Sequence, residues 1–314
     1  MKKYVCKICG NSKDNKNYKI KEMKFGFRDE FEYFECSKCG CLQIAEFPKN
    51  ISKYYPTDYC AYELNKKFFL IKKNVFANDI SEFILALHID KPPNITRFFS
   101  LKNFNYSIKL NLKILDVGCG SGRSFLLPMK ILGFNKLYGL DPFVSKETIK
   151  FMEENDIIFF NKSFTELDDN LKFDIITFFH SFEHIPEQLE TLKKVSNLLN
   201  KNGICIIAVP IKSEYIWKKY ETNWVQIDAP RHFFIHTEKS LIYLAEKAGL
   251  KLKYLYYDST EFQFIGSEKY LRNIPLISEK NMFTEEQKKE YKKLAEELNK
   301  KHQGDQAVFF FVKD

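Results

Sequence analysis

The sequence predicts an α/β protein: a doubly wound, mostly parallel sheet preceded by a small cysteine module. Three observations carry that prediction. The run Lys113-Ile114-Leu115-Asp116-Val117-Gly118-Cys119-Gly120-Ser121-Gly122 joins an apolar strand to a glycine-rich turn, and a helix-like stretch, Arg123 to Leu132, follows at once. Glycines allow φ > 0 and close approach of a ligand, and a helix start offers free N–H groups. A second short strand, 136–140, ends in Asp141, about 20 residues on, where nucleotide-binding folds of this kind place a ribose-binding acid. Finally, five of the eight cysteines (Cys6, Cys9, Cys36, Cys39 and Cys41) fall within the first 41 residues.

The cysteines come first in the chain. Cys6-Lys7-Ile8-Cys9-Gly10 and Cys36-Ser37-Lys38-Cys39-Gly40 are two C-x-x-C-G knuckles. Two thiolates per knuckle, meeting at one ion, give the tetrahedral sulfur shell that zinc prefers. A redox pair of the thioredoxin kind needs one C-x-x-C in a strand–helix context, not two matched knuckles. Cys6, Cys9, Cys36 and Cys39 are therefore read as ligands of a structural zinc, with no open coordination site, and Cys41 as a bystander. Strand-like apolar and aromatic positions between Met23 and Phe34 suggest a hairpin linking the knuckles.

Residues 1–45 are assigned to this zinc-ribbon-like module, and 46–110 to a connecting helical segment with a helix at 68–87 that Lys91-Pro92-Pro93-Asn94 ends. The core, 111–314, alternates strands at 113–117, 136–140, 157–160, 173–179 and 203–209 with helices near 122–132, 145–155 and 186–200, Gly203 standing as the residue that ends the last of these. A segment at 211–237 is read as a lid, followed by a helix from Ser240 to Ala248 that Gly249 stops. The last two strands are 251–258 and 307–312, separated by a helical insertion at 265–303 with an amphipathic helix from Glu285 to His302.

The L-D-V-G-C-G-S-G run with Asp141 resembles the first motifs of class I S-adenosylmethionine-dependent methyltransferases. Dinucleotide dehydrogenases share the strand–glycine–helix logic, but G-x-G-x-x-G would need glycine near Phe125. The resemblance implies a Rossmann-like seven-stranded core with strand order 3-2-1-4-5-7-6 and an antiparallel final pair. It also implies a cofactor pocket: Gly118, Cys119, Gly120 and Gly122 form the turn under the methionine part, and Asp141 holds the ribose hydroxyls. Asp116 steadies the turn and reaches toward the amino group, Ser163 and Phe164 lie where adenine is contacted, and His180 lies beside the cofactor. Cys119 is small and matches the family turn, so nothing marks it as a nucleophile.

Two clusters are candidates for the chemistry. Phe178-Phe179-His180-Ser181-Phe182-Glu183-His184-Ile185-Pro186 resembles the family's E-H-[VI]-P signature. Ubiquinone-type O-methyltransferases carry an E-x-x-E-H form that can bind a metal, and this chain replaces the first acid by His180. Ile227-Asp228-Ala229-Pro230-Arg231-His232 resembles the D-x-P-R-H segment of small-molecule and sugar methyltransferases. A hydroxyl acceptor must lose its proton, and histidine is the natural base near neutral pH. His232 is the first choice for that base and His184 the second, while Arg231 is expected to pair with a phosphate or with Asp228. Trp217, Tyr220 and Trp224 either close over the acceptor or pack in the core.

At 314 residues the chain can bury a full core, and the net charge of +8 is spread over alternating Lys and Glu. No apolar run approaches the length of a membrane span, and Met1-Lys2-Lys3-Tyr4-Val5-Cys6 lacks a signal-peptide stretch, which points to the cytoplasm. Knuckles followed by this core resemble methyltransferases of nucleotide-linked sugars and surface glycans. The implied activity is O-methylation of a sugar, nucleotide-linked sugar or surface-glycan precursor. An RNA methyltransferase that uses the zinc module to bind RNA is the alternative, although N-P-P-[YF] is absent. A silent cofactor-binding module is a third reading, which the intact glycine turn opposes.

Overall fold

The computed structural model describes residues 4–56, 93–280 and 282–313. The helix expected at 68–87 lies outside the described residues. Two sheets organise the rest. The larger is built from β4 (Lys113–Val117), β5 (Lys136–Leu140), β6 (Ile158–Phe160), β7 (Phe173–Phe179), β8 (Leu199–Pro210), β10 (Leu250–Tyr257) and β11 (Gln306–Lys313). Their spatial order is β10-β11-β8-β7-β4-β5-β6. Counting core strands from β4, this is 3-2-1-4-5-7-6, as expected. β4 to β8 run parallel, and β11 is antiparallel to both β8 and β10. β8 is buried throughout Ile204–Pro210, the continuous apolar pattern of a central strand covered on both faces.

The helices Leu126–Ile131, Lys146–Glu154, Gln188–Leu198 and Glu238–Lys247 follow the expected rhythm. Ser145 and Thr237 cap two of them, accepting from the amides of Thr148 and Ser240. Gly203 does not end a helix. The helix stops at Leu198, and Gly203 lies inside β8, which starts at Leu199 and shifts register against β7 before Ile175. The insertion helix Glu285–Lys300 starts on a capping box, Thr284 with Gln287. A further helix, Phe262–Leu271, precedes it; its weak amphipathic pattern hid it from sequence reading.

The smaller sheet has the order β1-β2-β3-β9. β1 (Lys16–Lys21) and β2 (Glu30–Glu35) form the hairpin between the knuckles, with Met23 in its turn and not in a strand. β3 (Leu42–Ile44) then pairs antiparallel with β9 (Phe234–Ile235), which comes from the core half of the chain. The module and the core thus share a sheet. The segment 211–237, expected as a lid, is mostly buried where it makes that junction. Tyr220 is 2% exposed and Trp224 fully buried, with its indole N–H donating to Asp305 at 3.0 Å. These rings fill the core rather than cover a ligand. Trp217 packs edge-on against Tyr18 of the module. Among the described residues, no helix is long and apolar enough to cross a membrane.

Candidate functional site

The glycine turn leaves β4 with φ of 72° at Gly118, 52° at Gly120 and 67° at Gly122, values that favour glycine. A Cβ on Gly118 would come within 2.4 Å of Ser181 Cβ, and one on Gly122 within 2.1 Å of Met152 Cε. The turn is tied to β5: Gly118 and Cys119 amides donate to Leu140 O at 2.7 and 3.2 Å, and Gly120 N donates to Asp141 Oδ2 at 3.0 Å. Phe143 N donates to Asp141 Oδ1 at 2.9 Å. Each Asp141 oxygen thereby keeps a lone pair for a hydroxyl. Burial pushes the Asp141 carboxyl up, and the Phe143 and Gly120 amides oppose that rise.

Asp116 is 3% exposed and accepts from Thr177 Oγ1 at 2.7 Å; burial raises its pKa to about 7. The buried Cys119 thiol is pushed well above its ordinary range, which removes it as a nucleophile. Ser163 caps a short turn, its amide donating to Glu166, and stays exposed. Phe164 is 4% exposed and packs edge-on against Phe178 in the core. The structure therefore brings together the turn, Asp116 and Asp141, and turns Phe164 away into the core.

The loop after β7 joins this turn to a cavity lined by Lys24, His180, Glu183, His184, Asp228 and His232 on its polar side. Ser181 Oγ donates to Val117 O at 2.5 Å, while His180, at φ 55°, carries its ring to the cavity. A non-glycine residue in this conformation is strained, and the strain stands at the junction of the two sites. Val225, Phe262 and Leu276 form the apolar wall.

His184 and His232 meet edge to face, with ring centroids 4.8 Å apart. His184 Nδ1 lies 2.8 Å from Arg231 O, and His232 Nδ1 lies 2.8 Å from Gln226 O. A carbonyl accepts only, so both Nδ1 atoms carry a proton, and in the neutral form of His232 the lone pair stays on Nε2. His232 Nε2 lies 3.8 Å from both Glu183 Oε1 and Asp228 Oδ2. Burial lowers the His232 pKa to about 4, with His184 acting in the same direction and Glu183 and Asp228 opposing. At neutral pH the ring is neutral. Glu183 is 1% exposed and, among the described residues, neither carboxylate oxygen has a hydrogen-bond partner; His180 Nδ1 lies 3.6 Å from Oε1. Burial would raise this carboxyl, but the surrounding imidazoles bring it to about 2.

Arg231 does not reach into the cavity. It is fully buried, with Nη2 on Glu22 Oε1 at 2.8 Å and Asp228 Oδ1 at 2.7 Å, Nε on Asp228 Oδ2 at 3.1 Å, and Nη1 on Tyr54 O at 3.0 Å. Of the two roles predicted for it, the pairing with Asp228 is the one formed. Asp228 is held well below the carboxylate range, since Lys24 and Arg231 outweigh its burial. His236 is sealed between Ser240 Oγ and Gln188 Oε1, at 2.9 and 3.0 Å, and plays no part in the cavity. Sequence reasoning missed Glu22 and Lys24. They sit in a turn without a motif, and only the tertiary packing brings them here.

The four knuckle cysteines converge 3.6 Å apart for the Cys6–Cys39 pair and 3.5 Å for Cys9–Cys36. Tetrahedral zinc with Zn–S near 2.3 Å sets sulfurs about 3.8 Å apart, so the thiols fit the ion. Gly10 and Gly40 close matching turns, donating to Cys6 O and Cys36 O at 2.9 and 2.8 Å, and Gln43 Nε2 donates to Cys6 Sγ at 3.1 Å. Cys41 is fully buried and outside the cluster.

Comparison with known families matches residues 84–255 to the family described as a methyltransferase domain. Among curated proteins, the ubiquinone biosynthesis O-methyltransferase of Pelagibacter ubique (strain HTCC1062) is 30% identical over 188 residues, covering 55% of this chain and 75% of that protein. Among solved structures, magnesium protoporphyrin IX methyltransferase from Synechocystis PCC 6803 with bound SAH is 16% identical, covers 77% of this chain and 90% of its own, and has a TM-score of 0.45. A SAM-dependent methyltransferase from Archaeoglobus fulgidus is 21% identical over 70% of this chain and 94% of its own, with a TM-score of 0.45.

Proposed function

Because the chain belongs to the family of methyltransferase-domain proteins, we propose that this S-adenosylmethionine-dependent methyltransferase methylates a hydroxyl oxygen in the cavity beside His232. The observation that carries this reading is the His232 ring in the cavity wall, with Nδ1 committed to Gln226 O and Nε2 held 3.8 Å from Glu183 Oε1 and Asp228 Oδ2. When bound, S-adenosylmethionine supplies an electrophilic methyl on a sulfonium. The glycine turn and Asp141 would hold that cofactor by its methionine and ribose parts, and Asp116 would receive its amino group. His232 Nε2 takes the acceptor proton. The imidazolium so formed lies beside the ionised Glu183 and Asp228 carboxylates at 3.8 Å, which offset its charge. His184 packs on His232 and shapes the acceptor side.

A sugar or nucleotide-linked sugar, or another surface-glycan precursor, is the proposed acceptor, supported by the resemblance of the D-x-P-R-H segment. A phenolic hydroxyl is the second reading, favoured by the O-methyltransferase from Pelagibacter ubique. The Cys6, Cys9, Cys36 and Cys39 set is proposed to hold one structural zinc, with reduced thiols suiting the cytoplasm.

The test is transfer of labelled methyl to a panel of nucleotide sugars, hydroxybenzoates and structured RNA. Turnover of a hydroxyl acceptor, lowered ~10²–10⁴-fold by His232→Ala with S-adenosylhomocysteine affinity unchanged, is expected. Methylation confined to RNA bases, or a His232→Ala enzyme as fast as wild type, would remove the proposal.

A further inference from the structure

The cysteine module reaches the catalytic cluster with two buried side chains. Glu22, in the turn between β1 and β2, is fully buried. Its Oε1 accepts from Phe25 N at 2.9 Å and from Arg231 Nη2 at 2.8 Å, and its Oε2 accepts from Phe27 N at 2.9 Å. Arg231 continues the chain of contacts: it clamps Asp228 through two bonds, and its own carbonyl accepts the Nδ1–H of His184 at 2.8 Å. Tyr33 of β2, also fully buried, donates its hydroxyl to His232 O at 2.9 Å. Both imidazoles thus hang from backbone that module residues hold.

The same turn places Lys24 on the cavity wall, 3.5 Å from Asp228 Oδ2. It is also fixed to the insertion, since Leu276 N and Ile277 N donate to Met23 O and Lys24 O. We propose that Glu22 and Tyr33 are positioning residues for the His184–His232 pair, so that the cysteine module is a working part of the acceptor site and not a detached appendage. This rests on the reading of His232 as the base, but its test does not use turnover. Positioning of this kind matters because displacing a reacting group by about 1 Å can cost on the order of 10²-fold in rate.

A second link between module and core supplies the control. Glu35 of β2 pairs with Lys212 Nζ at 2.9 Å and accepts from Tyr18 OH at 3.0 Å, without touching either histidine or Arg231. The readout is the imidazole Nδ1–H and nitrogen resonances of the ¹⁵N-labelled full chain, taken with S-adenosylhomocysteine calorimetry and zinc analysis. Glu22→Gln is expected to shift or broaden the His184 Nδ1–H signal, and Tyr33→Phe the His232 signal. Glu35→Gln should move neither. Zinc content and S-adenosylhomocysteine affinity should stay within about twofold in all three, as for groups outside the cofactor pocket.

Tyr33→Phe removes one hydroxyl and keeps the ring, so it carries the test if Glu22→Gln does not fold. Unchanged imidazole signals in Tyr33→Phe, or equal changes in Glu35→Gln, would overturn the proposal and leave only a docked module. If the signals move as expected while His232→Ala keeps full turnover, the base assignment falls and the positioning stands.

Discussion

Replacing Arg231 by methionine separates a brace from a ligand-binding cation. Methionine keeps most of the stem but removes the guanidinium, with its contact over the Phe25 ring and its four hydrogen bonds to Tyr54, Glu22 and Asp228. Two carboxylates then lose a buried counter-charge. Glu22 retains the amides of Phe25 and Phe27, and Asp228 retains Lys24 at 3.5 Å, so neither is left bare. Breaking a buried pair from one side typically costs about 3–5 kcal/mol. Here the remaining contacts hold the total for both acids to about that range. That is a large share of the roughly 5–15 kcal/mol that holds a domain folded. Urea unfolding followed by circular dichroism should show the midpoint fall with the slope unchanged. A loss below about 1 kcal/mol, together with weaker binding of a phosphorylated acceptor, would refute the reasoning and restore the phosphate role that the sequence also allowed.

Metal analysis should find one zinc per chain. Cys9→Ser should lose it and loosen β1 to β3, since metal binding and folding are coupled in small modules, whereas Cys41→Ser should keep it; the reverse pattern would void the ligand assignment. Asp141→Ala should weaken S-adenosylhomocysteine binding by ~1.5–3 kcal/mol in calorimetry, the scale of hydrogen bonds to a charged acceptor, and tight NADH binding instead would contradict the cofactor assignment. Burial raises Asp116 to about 7, so the folded chain binds more protons there than the unfolded chain between about pH 4 and 7, and this group's contribution to stability falls as pH rises through that window. If the carboxylate receives the cofactor's amino group, S-adenosylhomocysteine should bind more tightly from pH 6 to 8 with proton release, and Asp116→Asn should remove the dependence; affinity flat over that range in the wild type would exclude the contact.

The parts of the molecule that were legible in sequence are those fixed by local pattern. The glycine turn, Asp141, the strand rhythm and the paired knuckles each lie within a short window whose residue types have few other uses, and the structure puts the strands in the order that the family resemblance implied. Gly203 misled because a glycine after a helix can equally sit in a strand, and the register shift against β7 makes room for it there. The aromatic residues Tyr220 and Trp224 read equally as a cover over the acceptor or as core, because surface and core aromatics look alike in sequence; burial and the Trp224–Asp305 bond settle them as interior. What no window could reveal is the meeting of distant segments. Glu22 and Arg231 are 209 residues apart, and Tyr33 and His232 are 199 apart. The pairing of β3 with β9 brings these segments together by laying one short strand from the core half of the chain onto β3, at the edge of the module's three strands. Leu42 and Ile235, which face each other in that pairing, are both fully buried. The same pairing sets the turn carrying Glu22 over the loop carrying Arg231 and His232. Any change that unpairs β3 from β9 therefore acts on the acceptor site before it acts on the glycine turn, which is anchored separately by β4 and β5.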